Sequence, residues 1–146
     1  MHHSPVNRDT TGRRSGSPSS EPEPAARPDD RLGQLAGDLG RLVDRLRSLS
    51  EVRLARPLPG RGSRADTAHA LAQLLADHAA ALSAEPSRPV PRLHDFAVGD
   101  QVAVTGNDLL AALRDRSEHS LASGQDDPAD RLGDALRAVR ELRSGL

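Results

Sequence analysis

The sequence predicts an all-α fold, a four-helix bundle-like domain behind a disordered N-terminal tail, with one short β-hairpin at 96–105 as the alternative for its central element. Three observations carry this expectation. Leu32, Leu35, Leu39, Leu42, Leu46 and Leu49 recur at alternating spacings of three and four, the a/d pattern of a coiled coil. Pro57, Pro59, Gly60 and Gly62, and then Pro86, Pro89 and Pro91, cut the chain into helix-length pieces. Only the segment Leu93–Leu113 offers a second interpretation as strand, and the chain lacks Ile, Tyr and Trp altogether.

Taken in order, residues 1–28 hold almost no apolar side chain large enough to anchor them. Such a segment does not recover an ordering cost of roughly 1–2 kcal/mol per residue, so a disordered tail is expected there. Residues 29–146 then form the helical domain, whose size suits one core. The first helix is expected over 30–54, opened by an Asp N-cap at Asp29 or Asp30. Its leucines outweigh its ion pairs: each buried leucine contributes about 1.5–3 kcal/mol, an i,i+4 charge pair a few tenths. Gly33, Gly37 and Gly40 weaken it, so it needs a partner surface.

A second helix is expected over 65–84, from Ser63 or Asp66, with Leu71, Leu74, Leu75, His78 and Leu82 on one face. The linker from Glu85 to Pro91 should be extended. A last helix is expected over 127–144, capped by Asp127 with Pro128 in the first helical position and Leu132, Leu136, Val139 and Leu142 as its stripe. Antiparallel neighbours joined by loops of moderate length suit such a plan.

Between them lies the ambiguous segment. Phe96, Val98, Val102 and Val104 alternate around Gly99-Asp100, as a hairpin would require. On a helical wheel, Phe96, Gly99, Ala103, Gly106, Leu110 and Leu113 fall on one stripe, and Val98, Val102, Thr105 and Leu109 fall beside it. An isolated two-stranded hairpin is marginal in water. The helix, over 92–116, is the stronger reading, and its two glycines then become points of close helix approach.

Composition narrows the function classes. All 20 basic residues are Arg, but 21 acidic residues oppose them and the net charge is −1, so a nucleic-acid surface is disfavoured. With no Cys there are no disulfides, thiolate nucleophiles or Cys-based zinc sites. Lacking Lys, the chain has no phosphate-binding loop of the Gly-Lys type. No run reaches the roughly 18 apolar residues of a membrane span, and a cytoplasmic location is the default expectation.

Candidate catalytic groups each have a structural explanation. His78 should be a hydrogen-bonded core histidine, and His69 a surface partner of Asp66, since no paired-histidine metal spacing completes a site. His94, Asp95, Asp100 and Asp108 could supply acid-base groups, and Ser63 or Thr105 a nucleophile, without a relay spacing to join them. His119 belongs to an exposed connection. No catalytic residue, cofactor or metal is therefore assigned.

The functional expectation is a small, non-catalytic helical protein acting through protein–protein contact, as an accessory or adaptor, with a protein partner or a second copy of itself. Its expected interaction face comprises Leu32, Leu35, Leu39, Leu42, Leu46, Leu49, Phe96, Val102, Leu109 and Leu113. Two alternatives compete. One is a ligand-binding or catalytic bundle using His and Asp groups around an interior pocket, although the sequence names no small-molecule ligand. The other is a DNA-binding regulator.

Overall fold

A computed structural model describes residues 26–119 and 128–146. The expected tail therefore lies almost wholly outside the described residues, as does Asp127, the expected cap of the last helix. The chain is predominantly helical: α1 Pro28–Ser48, α2 Glu51–Leu54, α3 Arg64–Leu82, α4 Val98–His119 and α5 Pro128–Gly145, with an antiparallel pair of short strands, β1 Pro57–Leu58 and β2 Arg61–Ser63. Among the described residues no helix is long and apolar enough to cross a membrane.

α1 begins earlier than expected, at Pro28, and no side chain caps it; Asp29 and Asp30 instead sit in the first turn, where they oppose the positive end of the helix dipole. It also ends earlier. The three-four spacing that closes at Leu49 would next require apolar residues at 53 and 56, where Arg53 and Arg56 stand. Leu54, five residues on, is about 140° off the stripe of a continuous helix. An extended Leu49 and Ser50 break the helix, and the separate turn α2 then buries Leu54 beside the buried Leu49.

The Pro/Gly break after α2 folds into the β1–β2 pair, with Gly60 at φ +68 in the connection, a left-handed conformation that a glycine adopts without strain. Ser63 then caps α3: its hydroxyl accepts from the Asp66 backbone N–H at 3.0 Å while the Asp66 carboxylate accepts from the Ser63 N–H at 2.9 Å. α4 is a helix and the 96–105 hairpin does not form, but α4 starts at Val98, six residues later than expected. A single 3-10 turn, Asp95–Ala97, precedes it. Phe96 accordingly leaves the apolar stripe of α4 and is exposed.

Close pairs across the helices fix their directions. Gly99 lies against Arg47 and Gly106 against Leu39, so α1 and α4 are antiparallel. His69 meets Gln101, and farther along Ala79 and Ala80 line one groove with Ala111 and Ala112, which makes α3 and α4 parallel; Arg31 meets Gly133 while Asp38 meets Arg143, which makes α1 and α5 parallel. The helices pack in the cyclic order α1, α4, α3, α5 around one hydrophobic cluster. Of the helices joined by a loop, α3 and α4 depart from the expected antiparallel arrangement. The cause is the linker 83–97, which runs back along α3 before α4 starts.

Polar side chains hold that return. Gln73 accepts from the Val90 N–H at 2.7 Å and donates to the Arg88 carbonyl at 3.1 Å; Ser87 donates to Asp77; Gln101 donates to the Pro91 carbonyl at 2.6 Å; Arg92 pairs with Asp66. Prolines at 86, 89 and 91 exclude helix and a strand ladder from this stretch, so its backbone groups bond to the side chains of the helices it crosses.

Candidate functional site

The expected interaction face is distributed very unevenly. Leu35, Leu39, Leu42, Leu46, Leu49, Val102, Leu109 and Leu113 are all buried in the chain's own core, and Leu32 is partly buried against it. The partner surface that the α1 leucines require is supplied by α4 and α5. Leu32 and Leu113 also line a cavity of about 280 Å³ between the start of α1, the end of α4 and the start of α5. Of the ten residues only Phe96 projects into solvent, with 65% of its surface exposed.

Phe96 stands in a definite setting. Its ring stacks on His94 with centroids 5.5 Å apart and planes 8° from parallel. The 3-10 turn that carries it packs against α2, where Val52 is 77% exposed, and Leu93 just before it is 53% exposed. Val104, also exposed, lies one turn beyond Asp100 on the outward side of α4. These are the exposed large apolar residues among those described. Around them stand exposed charges of both signs: Glu51, Arg53, Arg92 and Asp100, with Asp100 held by Arg47 at 2.5 Å. The Arg92 guanidinium and the Ser63 cap bonds hold the Asp66 carboxyl down at about 2.

The candidate acid-base groups do not converge. Ser63 is engaged as the α3 cap, and the buried Thr105 hydroxyl donates to the Gln101 carbonyl one turn back. His69 Nδ1 lies 3.4 Å from Gln101 Oε1, and His119 Nδ1 lies 2.7 Å from the Asp115 carbonyl. Asp108 lies in an open Ala-rich groove between α3 and α4. His78 is buried, as its place among leucines implied, but only one ring nitrogen is satisfied. Arg131 Nη1 lies 3.3 Å from Nδ1, and because a guanidinium only donates, the hydrogen belongs on Nε2, which meets no partner. Burial, reinforced by Arg131, pushes the His78 pKa below its ordinary value. Among the described residues no three His, Asp or Glu side chains are placed to hold a metal ion.

Sequence reasoning missed a different cluster. Asp38, on the α1 face between Leu35 and Leu42, has a side chain only 6% exposed, and Oδ1 accepts from Arg41 Nη2 at 2.8 Å and from Arg143 Nη1 at 2.9 Å. Arg140 Nε stands 3.6 Å from Oδ2. The hydrogen bond from Arg41, with the charges of Arg143 and Arg140, holds the Asp38 carboxyl below the usual carboxylate range despite its burial. Asp38 and Arg41 are spaced as a local i,i+3 helical pair; the contribution of α5, more than a hundred residues away, had no local signal.

Comparison of the chain with family models, with curated proteins and with solved structures returns no match.

Proposed function

We propose that the protein is a non-catalytic interaction module that pairs with a second copy of itself through the end of the bundle bearing Phe96. The observation that supports this is the placement of the sole aromatic side chain of the Phe, Tyr and Trp class, exposed and stacked on His94 beside Val52 and Leu93. A scattered exposed leucine is ordinary, but an exposed aromatic residue on a turn packed against α2, with exposed apolar side chains on both, is the composition of an interface core.

Its rim favours self-pairing. A two-fold contact sets the same patch against itself, so a rim of one sign would repel its copy, whereas a rim carrying Glu51 and Asp100 together with Arg53 and Arg92 offers each sign its opposite. Sedimentation equilibrium of the whole chain tests this. A monomer–dimer equilibrium that Phe96→Asp shifts to monomer, with the helical melting curve unchanged, is the expected result. A particle that stays monomeric at every accessible concentration overturns it, as does a dimer that Phe96→Asp leaves intact.

A further inference from the structure

The seam between the parallel helices α1 and α5, at the Asp38 cluster, carries chemistry that self-pairing at Phe96 does not use. Arg41, Arg140 and Arg143 gather on one buried carboxylate, which leaves a surplus of two positive charges at the surface. Among the described residues, no second acid pairs with any of the three. Each guanidinium carries several N–H donors, and Asp38 can occupy only a minority of them. The remaining donors face solvent on side chains 66%, 50% and 43% exposed.

Two glycines leave room for guanidiniums along the same seam, for Arg31 and for Arg41 of the cluster itself. A Cβ at Gly133 would stand 3.3 Å from Arg31 Nη2, and one at Gly37 would stand 3.5 Å from Arg41 Nη2. Both glycines are inside helices, where each costs about 1 kcal/mol relative to alanine. Arg140 also borders the open depression beside the seam, whose polar lining includes Arg31, Gln34, Arg137, Glu141 and Ser144. The buried Asp38 holds Arg41, Arg140 and Arg143 together before any ligand arrives, and Arg140 joins that cluster to the depression.

We infer that this cluster is a binding site for a compact phosphate-type anion, such as a phosphomonoester or diphosphate group, clamped by Arg41, Arg140 and Arg143 on the solvent side of Asp38. Arginine presents paired donors that match phosphate oxygens, and pre-organisation by a buried counter-charge lowers the ordering cost of binding. A nucleic-acid strand fits less well. Such a polymer needs a continuous basic stripe, whereas Asp134 and Glu141, each paired with its own arginine, interrupt this one.

Calorimetric titration of the full chain with inorganic pyrophosphate, at low salt, tests the site, together with the side-chain Nε–H signals of Arg140 and Arg143. The expected result is saturable binding that perturbs both signals. Arg140→Gln or Arg143→Gln should weaken binding by about tenfold or more, the loss of one charge-assisted contact. Arg116→Gln, at the far end of α4, should leave it unchanged. If either seam variant fails to melt cooperatively, Arg41→Gln, on the most exposed of the three, replaces it. The inference is overturned by absence of saturable binding, by binding that the seam substitutions leave intact, or by retention of a single-stranded oligonucleotide that pyrophosphate does not displace.

Discussion

Gly106 on α4 and Leu39 on α1 meet so closely that a Cβ on the glycine would stand 3.0 Å from Leu39 Cδ1 and 3.2 Å from Cδ2. The crossing of these two helices depends on the missing side chain. Gly106→Val should destabilise the protein by about 1–3 kcal/mol, the cost of overpacking a close-packed seam. Gly40 is the internal control, because nothing lies within 4 Å of its absent Cβ. Gly40→Ala should be neutral or stabilising by up to about 1 kcal/mol through helix propensity. Urea unfolding midpoints of the two variants check the contrast. A Gly106→Val variant as stable as the parent would show that the missing side chain does not set the crossing.

The contrast also marks how far local pattern reaches. The stripe on the 93–113 segment identified the helix and both contact glycines, because 3.6-residue periodicity survives whatever packs against it. The same stripe put Phe96 inside the helix, whereas α4 starts only at Val98, beyond the stretch in which Gln101 holds the Pro91 carbonyl and Arg92 pairs with Asp66. Those anchors join residues 10 and 26 positions apart, and no window of sequence contains both ends with their geometry. Likewise, the α1 leucines signalled a need for partners, but not that α4 and α5 within the same chain would meet it. Relative helix direction was equally hidden, because the linker 83–97 is long enough for either sense and its course depends on Gln73.

Gln73 makes that dependence measurable. Its amide accepts from the Val90 N–H and donates to the Arg88 carbonyl and to Asp77 Oδ1, so Gln73→Ala removes the side chain that satisfies two backbone groups of the returning linker. A loss of about 1–3 kcal/mol is expected, partly offset because the linker remains accessible to water. Hydrogen exchange at Val90 should accelerate well beyond that of the α3 core. Unchanged protection at Val90 would mean that the linker holds its course without Gln73.

Asp38 should be the most sensitive charged residue for stability. Asp38→Asn leaves Arg41, Arg140 and Arg143 without their shared counter-charge, and a cost of about 1–3 kcal/mol is expected, moderated because the arginines can turn into solvent. The carboxyl ionises below its ordinary value of 3.8 in the folded chain, so its contribution is present above that value and is lost as the pH falls through the folded pKa. Thermal melts across the acid range should therefore lose part of their pH dependence in Asp38→Asn. A variant as stable as the parent at neutral pH would show that the cluster contributes nothing to the fold.

His78 predicts the opposite consequence for a polar group in the core. Its folded pKa lies below the ordinary 6.5, owing first to burial and then to Arg131, with Asp134 and Asp77 opposing the shift. As the pH falls through 6.5 the unfolded chain takes up a proton that the folded chain resists, so stability declines on the acid side until the folded pKa is passed. Nε2 is also buried without an acceptor, a deficit of about 1–3 kcal/mol in comparable cores. His78→Leu removes both liabilities while filling nearly the same space between Leu74, Leu75 and Leu82. The variant should equal or exceed the parent in stability at neutral pH, and its advantage should grow as the solution is acidified, read from unfolding midpoints on either side of that pH. A variant whose disadvantage grows with acid would instead mean that the imidazole accepts its proton inside the fold, with Asp134 and Asp77 outweighing burial.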